Sequence, residues 1–313
     1  MKRSTVILLM KALVSLGLLF FLFSRIDVPG FLLVLSSARL SYLIIALAIY
    51  LVGQVISSVR WALLARPLGF DYPIKNFTLL YIIGMFFNLF APSTIGGDVS
   101  RVFYLARDGK EQEKSWREST AFATISVILD RAVGMAVMVW IGAVALAIFP
   151  GYSLPLMIRY PTFAVALGFL VGWILLPFLH RLYRGRDSAL GRNLGRVVES
   201  YRNHRIVLMQ TIGLSLFVHS IQVWMQILLG RALGVEIPWS YSFILYPLVG
   251  LFSALPITLN GIGLREGGYL YLLRQIDVSP EKAIAFGLLW FTIVALDSLI
   301  GGVAFVLRKK INP

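Results

Sequence analysis

Long apolar runs separated by short polar segments dominate this chain, and the length of each run predicts a membrane-spanning helix. A helix needs about 20 apolar residues to cross the hydrocarbon core of a bilayer. Two further apolar pieces, 77–91 and 241–259, are interrupted early by Pro, Gly and polar residues. The six runs that are long enough to cross lie near 5–24, 41–64, 119–149, 162–180, 206–230 and 282–307.

The composition defines the class of protein to which this pattern belongs. Hydrophobic residues make up 58% of the 313 residues, charged residues make up 14%, and the mean hydropathy is +0.81. A soluble domain of this length could not keep so much apolar surface from water. We therefore predict an all-α polytopic membrane protein, with residues 1–313 as a single membrane domain. The chain contains no Cys, which excludes disulfides, thiolate metal sites and Cys nucleophiles.

The placement of the basic residues predicts the orientation of the chain in the cell membrane. Nineteen of the 29 Lys and Arg fall on the same side of the predicted spans as both termini, and the positive-inside rule makes that side cytoplasmic. This placement, rather than nucleic-acid binding, accounts for the net charge of +14. It requires each interrupted piece to return to the side it came from as a re-entrant hairpin, with 77–107 open to the cytoplasm and 241–275 open to the outside. If both pieces were instead ordinary tilted spans, the charged loop 107–118 would lie outside.

Two pairs of matching segments indicate an internal duplication. Residues 66–73 (RPLGFDYP) match residues 231–238 (RALGVEIP), and residues 92–101 (PSTIGGDVSR) match residues 256–265 (PITLNGIGLR). Because the matches occur in the same order and at nearly the same spacing, we attribute them to duplication rather than chance.

The duplication predicts two inverted repeats, 1–150 and 160–310, each with two spans, a hairpin and a third span. An odd number of spans in each copy forces the copies into opposite orientations. Many transporters share this design, with broken helices and a substrate site near the midplane of the bilayer.

The second matching pair forms the tips of the two hairpins, where Pro and Gly release the helix. The helix that restarts after each tip points its N-terminus into the membrane, and free N–H groups there attract anions. Arg101 and Arg265 lie close to these N-termini, so we predict a symmetric anion site. Asp98, which we expect to cap the first restarted helix, would repel an anion unless it is paired or protonated. The alternative is a purely structural helix break, with the arginines reaching for the interface.

Ionisable residues inside the spans are the second sign of a functional site. Asp130 and Arg131 lie in the third span, Asp297 lies deep in the sixth, and Arg60 lies near the cytoplasmic end of the second. Such residues are costly in the membrane unless they face a cavity or a partner. They form either a buried ion pair that locks helices together or a polar lining for a headgroup. Asp297 has no cation beside it in the sequence, so it is the candidate for proton coupling.

The remaining segments add a membrane-surface contact and exclude several enzyme classes. Residues 181–205 predict an amphipathic helix on the anionic cytoplasmic leaflet. The chain has no Walker A, HExxH or Asp-x-Asp motif. We therefore expect that the protein is not an enzyme and that it uses no cofactor or metal.

Three segments resemble the signature segments of the lysylphosphatidylglycerol synthase transmembrane-region family, whose members are flippase-like membrane domains. They are residues 88–107 (NLFAPSTIGGDVSRVFYLAR), 128–134 (ILDRAVG) and 255–268 (LPITLNGIGLREGG). The best-known members form the flippase half of the bacterial multiple peptide resistance factor. The resemblance covers nearly the whole chain. It implies translocation of a lipid, such as an aminoacylated phospholipid or a polyprenyl-phosphate glycan.

Two differences from the family pattern limit what the resemblance implies. Asp130 stands where the family often has Glu, and the cytosolic synthase domain of the fused members is missing, so we do not expect lysyl transfer by this chain. The resemblance also marks Pro92, Pro256 and Gly263 as motif positions. Together with the residue patterns, it gives a predicted substrate-binding set of Asn88, Ser93, Thr94, Gly96, Gly97, Asp98, Arg101, Asp130, Arg131, Thr258, Asn260, Gly261, Arg265 and Glu266, with Asp297 for proton coupling.

We predict that the protein flips a lipid with a phosphate-containing headgroup through a central polar cavity. Two rival functions remain open: an integral-membrane transferase acting on polyprenyl-phosphate sugars, and a non-transporting accessory subunit of envelope assembly. The expected partners are the lipid or lipid-linked substrate and the anionic membrane lipids. A second copy of the chain, or a synthase or glycosyltransferase, is a further possible partner.

Overall fold

Helices account for every regular element that the structure describes, and no strand occurs among the described residues. The structure is a computed structural model that describes residues 3–90, 95–108, 115–152, 154–183, 195, 199–201, 204–255 and 257–311. Within them, the bounded helices are α1 (Arg3–Phe23), α2 (Val28–Ser36), α3 (Leu40–Ala65), α4 (Ile74–Phe90), α5 (Ile95–Asp108), α6 (Trp116–Ile148), α7 (Leu156–Tyr183), α8 (Arg205–Ala232), α9 (Trp239–Ala254), α10 (Leu264–Leu273) and α11 (Pro280–Ile311).

The long helices confirm the predicted polytopic, all-α membrane protein. Among the described residues, α3, α6, α7, α8 and α11 are each long and apolar enough to cross a membrane. Residues Leu9–Phe23 of α1 meet that criterion together with α2, to which they are joined at a bend of 95°. The sequence analysis did not predict α2. It begins where the Asp27 side chain accepts a hydrogen bond from the backbone N–H of Gly30 at 2.9 Å, with Pro29 in the first turn.

The first matching pair of segments folds into two equivalent turns. Gly69 and Gly234 have φ angles of +87° and +64°, in the left-handed region that favours glycine. In each copy the N–H after the glycine donates to the carbonyl five residues back, at 3.3 Å in the first and 2.8 Å in the second. The two copies therefore enter their interrupted segments through the same backbone geometry.

Each interrupted apolar piece forms a helical hairpin with the helix that follows it. Helix α4 packs against α5, and α9 packs against α10. A Cβ on Gly97 would lie 2.2 Å from the carbonyl oxygen of Gly84, and a Cβ on Gly261 would lie 2.9 Å from the Cβ of Ser253. The helices therefore approach each other closely through glycine. Re-entrant insertion of these hairpins, and the inversion of the repeats, stay predictions.

The start of α5 corrects the predicted role of Asp98 as a helix cap. Helix α5 begins at Ile95, so Asp98 lies in its first turn. A carboxylate in the first turn still interacts favourably with the helix dipole.

Two buried apolar clusters hold the bundle together at opposite ends of α3 and α6. The first joins the C-terminal part of α3 to the N-terminal part of α6 and the open end of the α4–α5 hairpin. Its members include Trp61, Phe70, Phe77, Leu105 and Phe122. The second joins the N-terminal part of α3 to the C-terminal part of α6 and the open end of the α9–α10 hairpin. Its members include Tyr50, Leu146, Tyr241, Leu272 and Phe286.

The amphipathic helix predicted for 181–205 lies largely outside the described residues. Tyr201, which is described, packs in the first cluster, and its hydroxyl donates to the carbonyl oxygen of Leu64. Burial raises the pKa of this hydroxyl above its ordinary value, so it remains a donor. Tyr201 is therefore tied to the end of α3.

Candidate functional site

A polar cavity of about 290 Å³ lies between the two apolar clusters. Helices α3, α4, α5, α6 and α8 contribute to its wall. The polar residues that line it are Tyr50, Gln54, Ser57, Arg60, Tyr81, Asn88, Arg101, Asp130, Arg131, His219 and Gln222.

Asp130 is the central charged residue of this cavity, and it is 1% exposed. Its Oδ1 accepts a hydrogen bond from Nε of Arg60 at 2.8 Å, and its Oδ2 accepts one from Nη2 of Arg101 at 2.8 Å. Nη1 of Arg60 also donates to Oγ of Ser215 at 3.1 Å. Charge-assisted bonds of this length are among the strong ones in proteins. One carboxylate therefore holds two buried guanidinium groups, one from α3 and one from α5.

Arg101 is held by two aromatic rings as well as by Asp130. The centre of its guanidinium lies 4.1 Å from the ring centroid of Trp61 and 4.5 Å from that of Tyr81. Both distances are in the range of cation–π attraction. Its Nε is buried and donates to no acceptor among the described residues. A buried donor without an acceptor is costly, so this atom is available to an acceptor from outside the described residues.

A second ion pair lies beside the first. Nε of Arg131 contacts Oδ2 of Asp98, and Oδ1 of Asp98 lies 3.8 Å from Nη1 of Arg101. The described cluster therefore combines three guanidinium groups with two carboxylates, those of Asp98 and Asp130. If both carboxylates are ionised, it carries one positive charge in excess.

The tips of the two hairpins meet beside this cavity. The Asn88 side chain, in the cavity wall, accepts a hydrogen bond from the N–H of Gly97 at 2.9 Å and so closes the α4–α5 hairpin. Nδ2 of Asn260, at the other tip, donates to the carbonyl oxygens of Asn88 and Leu89 at 2.8 and 3.2 Å. Asn260 has a φ of +49° and is followed by Gly261 at +75°, which produces the turn predicted there.

Arg265 and Glu266 are paired with each other and do not line the cavity. Nη2 of Arg265 donates to Oε1 of Glu266 at 2.7 Å, and Oε2 of Glu266 accepts from the N–H of Gly263 at 2.6 Å. The N-terminus of α10 is therefore capped by its own carboxylate. The Arg265 guanidinium lies 5.0 Å from the ring centroids of Trp290 and Phe291. Arg101 and Arg265 thus occupy matching sequence positions in unlike surroundings.

Asp297 is the residue of the second half that corresponds to Asp130, a relation that the sequence analysis missed. The segments LDRAVG (129–134) and LDSLIG (296–301) place the two aspartates and their glycines in the same register. Asp297 is completely buried, and neither of its carboxylate oxygens has a hydrogen-bond partner among the described residues.

The structure brings together part of the predicted substrate-binding set. Four members line the cavity: Asn88, Arg101, Asp130 and Arg131. Gly97 and Asp98 contact members of this wall from α5, and Asn260 reaches it from the second hairpin tip. Those placed away from the cavity wall are Gly96, in the first turn of α5, and Gly261, Arg265, Glu266 and Thr258, the last of which is 3% exposed. Ser93 and Thr94, with Pro92 and Pro256, lie outside the described residues.

Sequence reasoning missed most of the polar residues on α3 and α8. Tyr50, Gln54 and Ser57 lie three to four residues apart in α3, as do His219 and Gln222 in α8. This spacing places each group on one face of its helix. Polar residues at helical spacing inside an apolar span are a signal that could have identified this wall. His219 itself contacts the carbonyl oxygen of Gly134 at 2.8 Å and the Tyr246 hydroxyl at 2.9 Å.

The fold and the site together define an integral membrane protein with several spans and an internal, arginine-lined cavity. The family model described as "Lysylphosphatidylglycerol synthase TM region" matches residues 8–301, and the chain therefore belongs to that family. It is similar to the UPF0104 membrane protein MJ1595 of Methanocaldococcus jannaschii, with 29% identity over 134 residues, which is 42% of this chain and 37% of that protein. It is also similar to a UPF0104 membrane protein of Methanothermobacter thermautotrophicus, with 23% identity over 316 aligned residues, covering 91% of this chain and 89% of that protein.

Proposed function

We propose that this protein moves a lipid with a phosphate-containing headgroup across the cell membrane, and that the headgroup passes through the central cavity. The observation that carries the proposal is the charge of the cavity cluster, in which three arginines face two carboxylates. A phosphodiester carries one negative charge and would balance the excess. The buried Nε of Arg101 supplies a donor for one of its oxygens.

The size of the cavity supports a headgroup rather than a whole lipid. Its volume of about 290 Å³ is at the lower end of the range for small-molecule pockets. The acyl or polyprenyl chains would stay in the bilayer while the headgroup crosses. The name of the family, which refers to a lipid synthase, supports a lipid-related membrane role.

Access from both leaflets would come from the two hairpins, whose open ends pack in clusters at opposite ends of the bundle. With both termini in the cytoplasm, the α4–α5 hairpin would open to the cytoplasm and the α9–α10 hairpin to the outside. Movement of one hairpin against the bundle would then expose the cavity to one side at a time, as in transporters built from inverted repeats.

Transport in proteoliposomes tests the proposal. The protein would be reconstituted with fluorescent phosphatidylglycerol, an aminoacylated phosphatidylglycerol or a polyprenyl-phosphate sugar, and the transbilayer movement of each would be followed by quenching from outside. We expect at least one of them to move faster than in empty vesicles. Arg101→Lys keeps the charge but loses the planar fork of donors, so it should slow the movement, whereas the exposed Arg39→Lys should not.

Three outcomes would count against transport. The site is wrong if Arg101→Lys and Arg101→Gln both move lipid at the wild-type rate. Loss of the sugar from its carrier would favour a transferase. Absence of movement for all three lipids would favour an accessory role.

We also propose that Asp297 takes up a proton during transport. An ionised carboxylate without a partner is costly inside a membrane, and both oxygens of Asp297 lack one among the described residues. Its counterpart, Asp130, is neutralised by two arginines instead. Helix α11, which carries Asp297, packs against the cavity helices α3 and α4, which gives a route for coupling.

Asp297→Asn separates coupling from structural support. Under proton coupling, the variant should fold and keep downhill exchange of lipid but lose its response to an imposed pH gradient. If Asp297 instead supports the fold through a partner, the variant should lose stability and all activity together. A wild-type rate that ignores a pH gradient across the liposome membrane would reject coupling.

A further inference from the structure

An apolar groove of about 900 Å³ lies against the second hairpin, separate from the central cavity. Its floor is helix α10 with the residue before it, and Gly263, Gly267 and Gly268 are among the residues that line it. A Cβ on Gly267 would meet no atom within 4 Å, so the space above this helix is open. The walls come from α1, α7, α9 and α10, through apolar side chains that include Leu18, Phe21, Met157, Ile158, Phe252 and Leu270.

One arginine lines this groove, and a second contacts its wall. Arg274 and Gln275 follow directly after α10 and line the groove. Arg274 is exposed and makes no ion pair with the residues that the structure describes. The Arg25 guanidinium lies 5.1 Å from the ring centroid of Phe21, which is part of the groove wall. This end is therefore basic and polar, while the rest of the groove is apolar.

The length of the groove matches one leaflet of a bilayer. From Gly263 at the hairpin tip to Arg274 at the other end, the helix rises about 16 Å at 1.5 Å per residue. Half of a hydrocarbon core of about 30 Å is about 15 Å. If the tip lies at the midplane, the arginines lie at the level of lipid phosphates.

The inner end of the groove is close to the cavity wall. Gly263 is three residues from Asn260, and the Asn260 side chain donates to the carbonyl oxygen of Asn88, which lines the cavity. The groove therefore runs from the C-terminal end of α10 to the place where the two hairpin tips meet.

We propose that this groove binds the acyl chains of an anionic phospholipid, with Arg274 and Arg25 contacting its phosphate. The inference rests on the proposed function, because the groove would hold the lipid before its headgroup enters the cavity or after it leaves. Apolar walls recognise the chains, and guanidinium groups recognise the phosphate. Binding can be measured without any transport.

Native mass spectrometry of the full-length, delipidated protein tests this site with dioleoyl phosphatidylglycerol as the probe. The wild type should retain one lipid more tightly than the rest. Gly267→Leu places a side chain in the groove at a position where its Cβ meets no atom within 4 Å, and it replaces glycine by a better helix former. It should weaken retention of that lipid by roughly tenfold or more. Gly168→Leu, also with open space at its Cβ but on α7 away from the groove, is the matched control and should bind as the wild type does.

The headgroup contact has its own pair of variants. The double variant Arg25→Gln and Arg274→Gln should weaken retention of phosphatidylglycerol by roughly tenfold but leave dioleoylglycerol, which has no phosphate, unchanged. Arg39→Gln, an exposed arginine outside the groove, should change neither.

Two results would overturn the proposal that the groove binds a phospholipid. If the wild type and Gly267→Leu retain lipid equally, the protein carries annular lipid only. If the double arginine variant binds phosphatidylglycerol as tightly as the wild type, the phosphate does not lie at these arginines. A wild-type protein that binds one lipid tightly but transports none would contradict the proposed function. It would not contradict the binding of a lipid in the groove.

Discussion

At the scale of single residues, burial decides how much each ion pair matters. Asp130 and Arg60 have side chains that are 2% and 7% exposed. The pair of Arg66 and Asp71 has side chains that are 38% and 86% exposed, at a distance of 3.6 Å. Water and salt screen an exposed pair, whereas a buried charge that loses its partner keeps its full desolvation cost.

We predict that Asp130→Asn destabilises the protein far more than Asp71→Asn. The first substitution leaves two buried guanidinium groups without a counter-charge, which costs about 3–5 kcal/mol when a buried pair is broken. The second removes an exposed pair worth about 0–1 kcal/mol. Denaturant unfolding of both variants in the same detergent measures the difference. Equal shifts in the two midpoints would show that Asp130 is not the counter-charge that holds Arg60 and Arg101.

At the scale of the elements, close glycine contacts hold each hairpin in place. A Cβ on Gly97 would lie 2.2 Å from the carbonyl oxygen of Gly84, and a Cβ on Gly301 would lie 2.1 Å from that of Ile82. Both neighbours are backbone atoms, which cannot turn away as a flexible side chain can. The α4–α5 hairpin therefore has a fixed separation between its helices and a fixed distance from α11.

We predict that Gly97→Ala and Gly301→Ala each lower stability by about 1–3 kcal/mol, the cost of forcing extra volume into a packed contact. Gly168→Ala is the control, because its Cβ would meet no atom within 4 Å. Alanine is the better helix former by up to about 1 kcal/mol, so this variant should be neutral or more stable. Thermal unfolding in detergent measures all three. A destabilised Gly168→Ala beside an unchanged Gly97→Ala would contradict the packing at the hairpin.

The contact between the two hairpin tips is the second test at this scale. Asn260 and Asp277 are the non-glycine residues with positive φ in the described part of the chain, at +49° and +58°. Glycine suits such a backbone, so Asn260→Gly should keep its turn while it removes the side-chain bonds to Asn88 and Leu89.

We expect faster amide hydrogen exchange at both hairpin tips in Asn260→Gly, because two hydrogen bonds worth about 1 kcal/mol each are lost. Asp277→Gly, at the far end of α10, should change exchange only near itself. If exchange at the tip of the α4–α5 hairpin is the same as in the wild type, the two tips are not coupled through Asn260.

The helices could be predicted from the sequence because their apolar runs are local and long. Helix α2 was not predicted, because at nine residues it is too short to span a membrane. Asp27 and Pro29 nevertheless mark its start. The cap assigned to Asp98 was wrong because α5 starts three residues earlier. The pairing in the site could not be predicted, because Asp130 is 70 residues from Arg60 and 29 from Arg101, and nothing local indicates which partner it takes.

At the scale of the whole molecule, the two halves contain matching segments but differ in how their charged residues are paired. In the first half, arginines neutralise Asp130 beside the cavity. In the second half, Arg265 is held by Glu266, and Asp297 stands without a partner among the described residues. In the proposed transport, equivalent positions with unlike charges would give the two halves different affinities for an anion and a proton, which a transporter needs if it is to couple two movements.

The final prediction concerns the inversion of the two halves across the membrane. Asp71 and Glu236 hold the same place in the matching segments RPLGFDYP and RALGVEIP, and both are exposed. Each lies just after its glycine turn, at the open end of its hairpin, and these ends pack in clusters at opposite ends of α3 and α6.

Because the chain has no Cys, single Cys residues can be introduced at both positions without a background signal. With a thiol reagent that does not cross the membrane, Glu236→Cys should label in intact cells, and Asp71→Cys should label only after the membrane is opened. Ordinary tilted spans in place of both re-entrant hairpins would leave these two positions on the same side of the membrane, since four crossings rather than three would separate them. A third variant, Asp277→Cys, tests the second hairpin by itself. Asp277 lies after α10 and should label from the same side as Glu236 if the α9–α10 hairpin is re-entrant. Labelling of Asp277→Cys and Glu236→Cys from opposite sides would show that α9 and α10 cross the membrane together as one span.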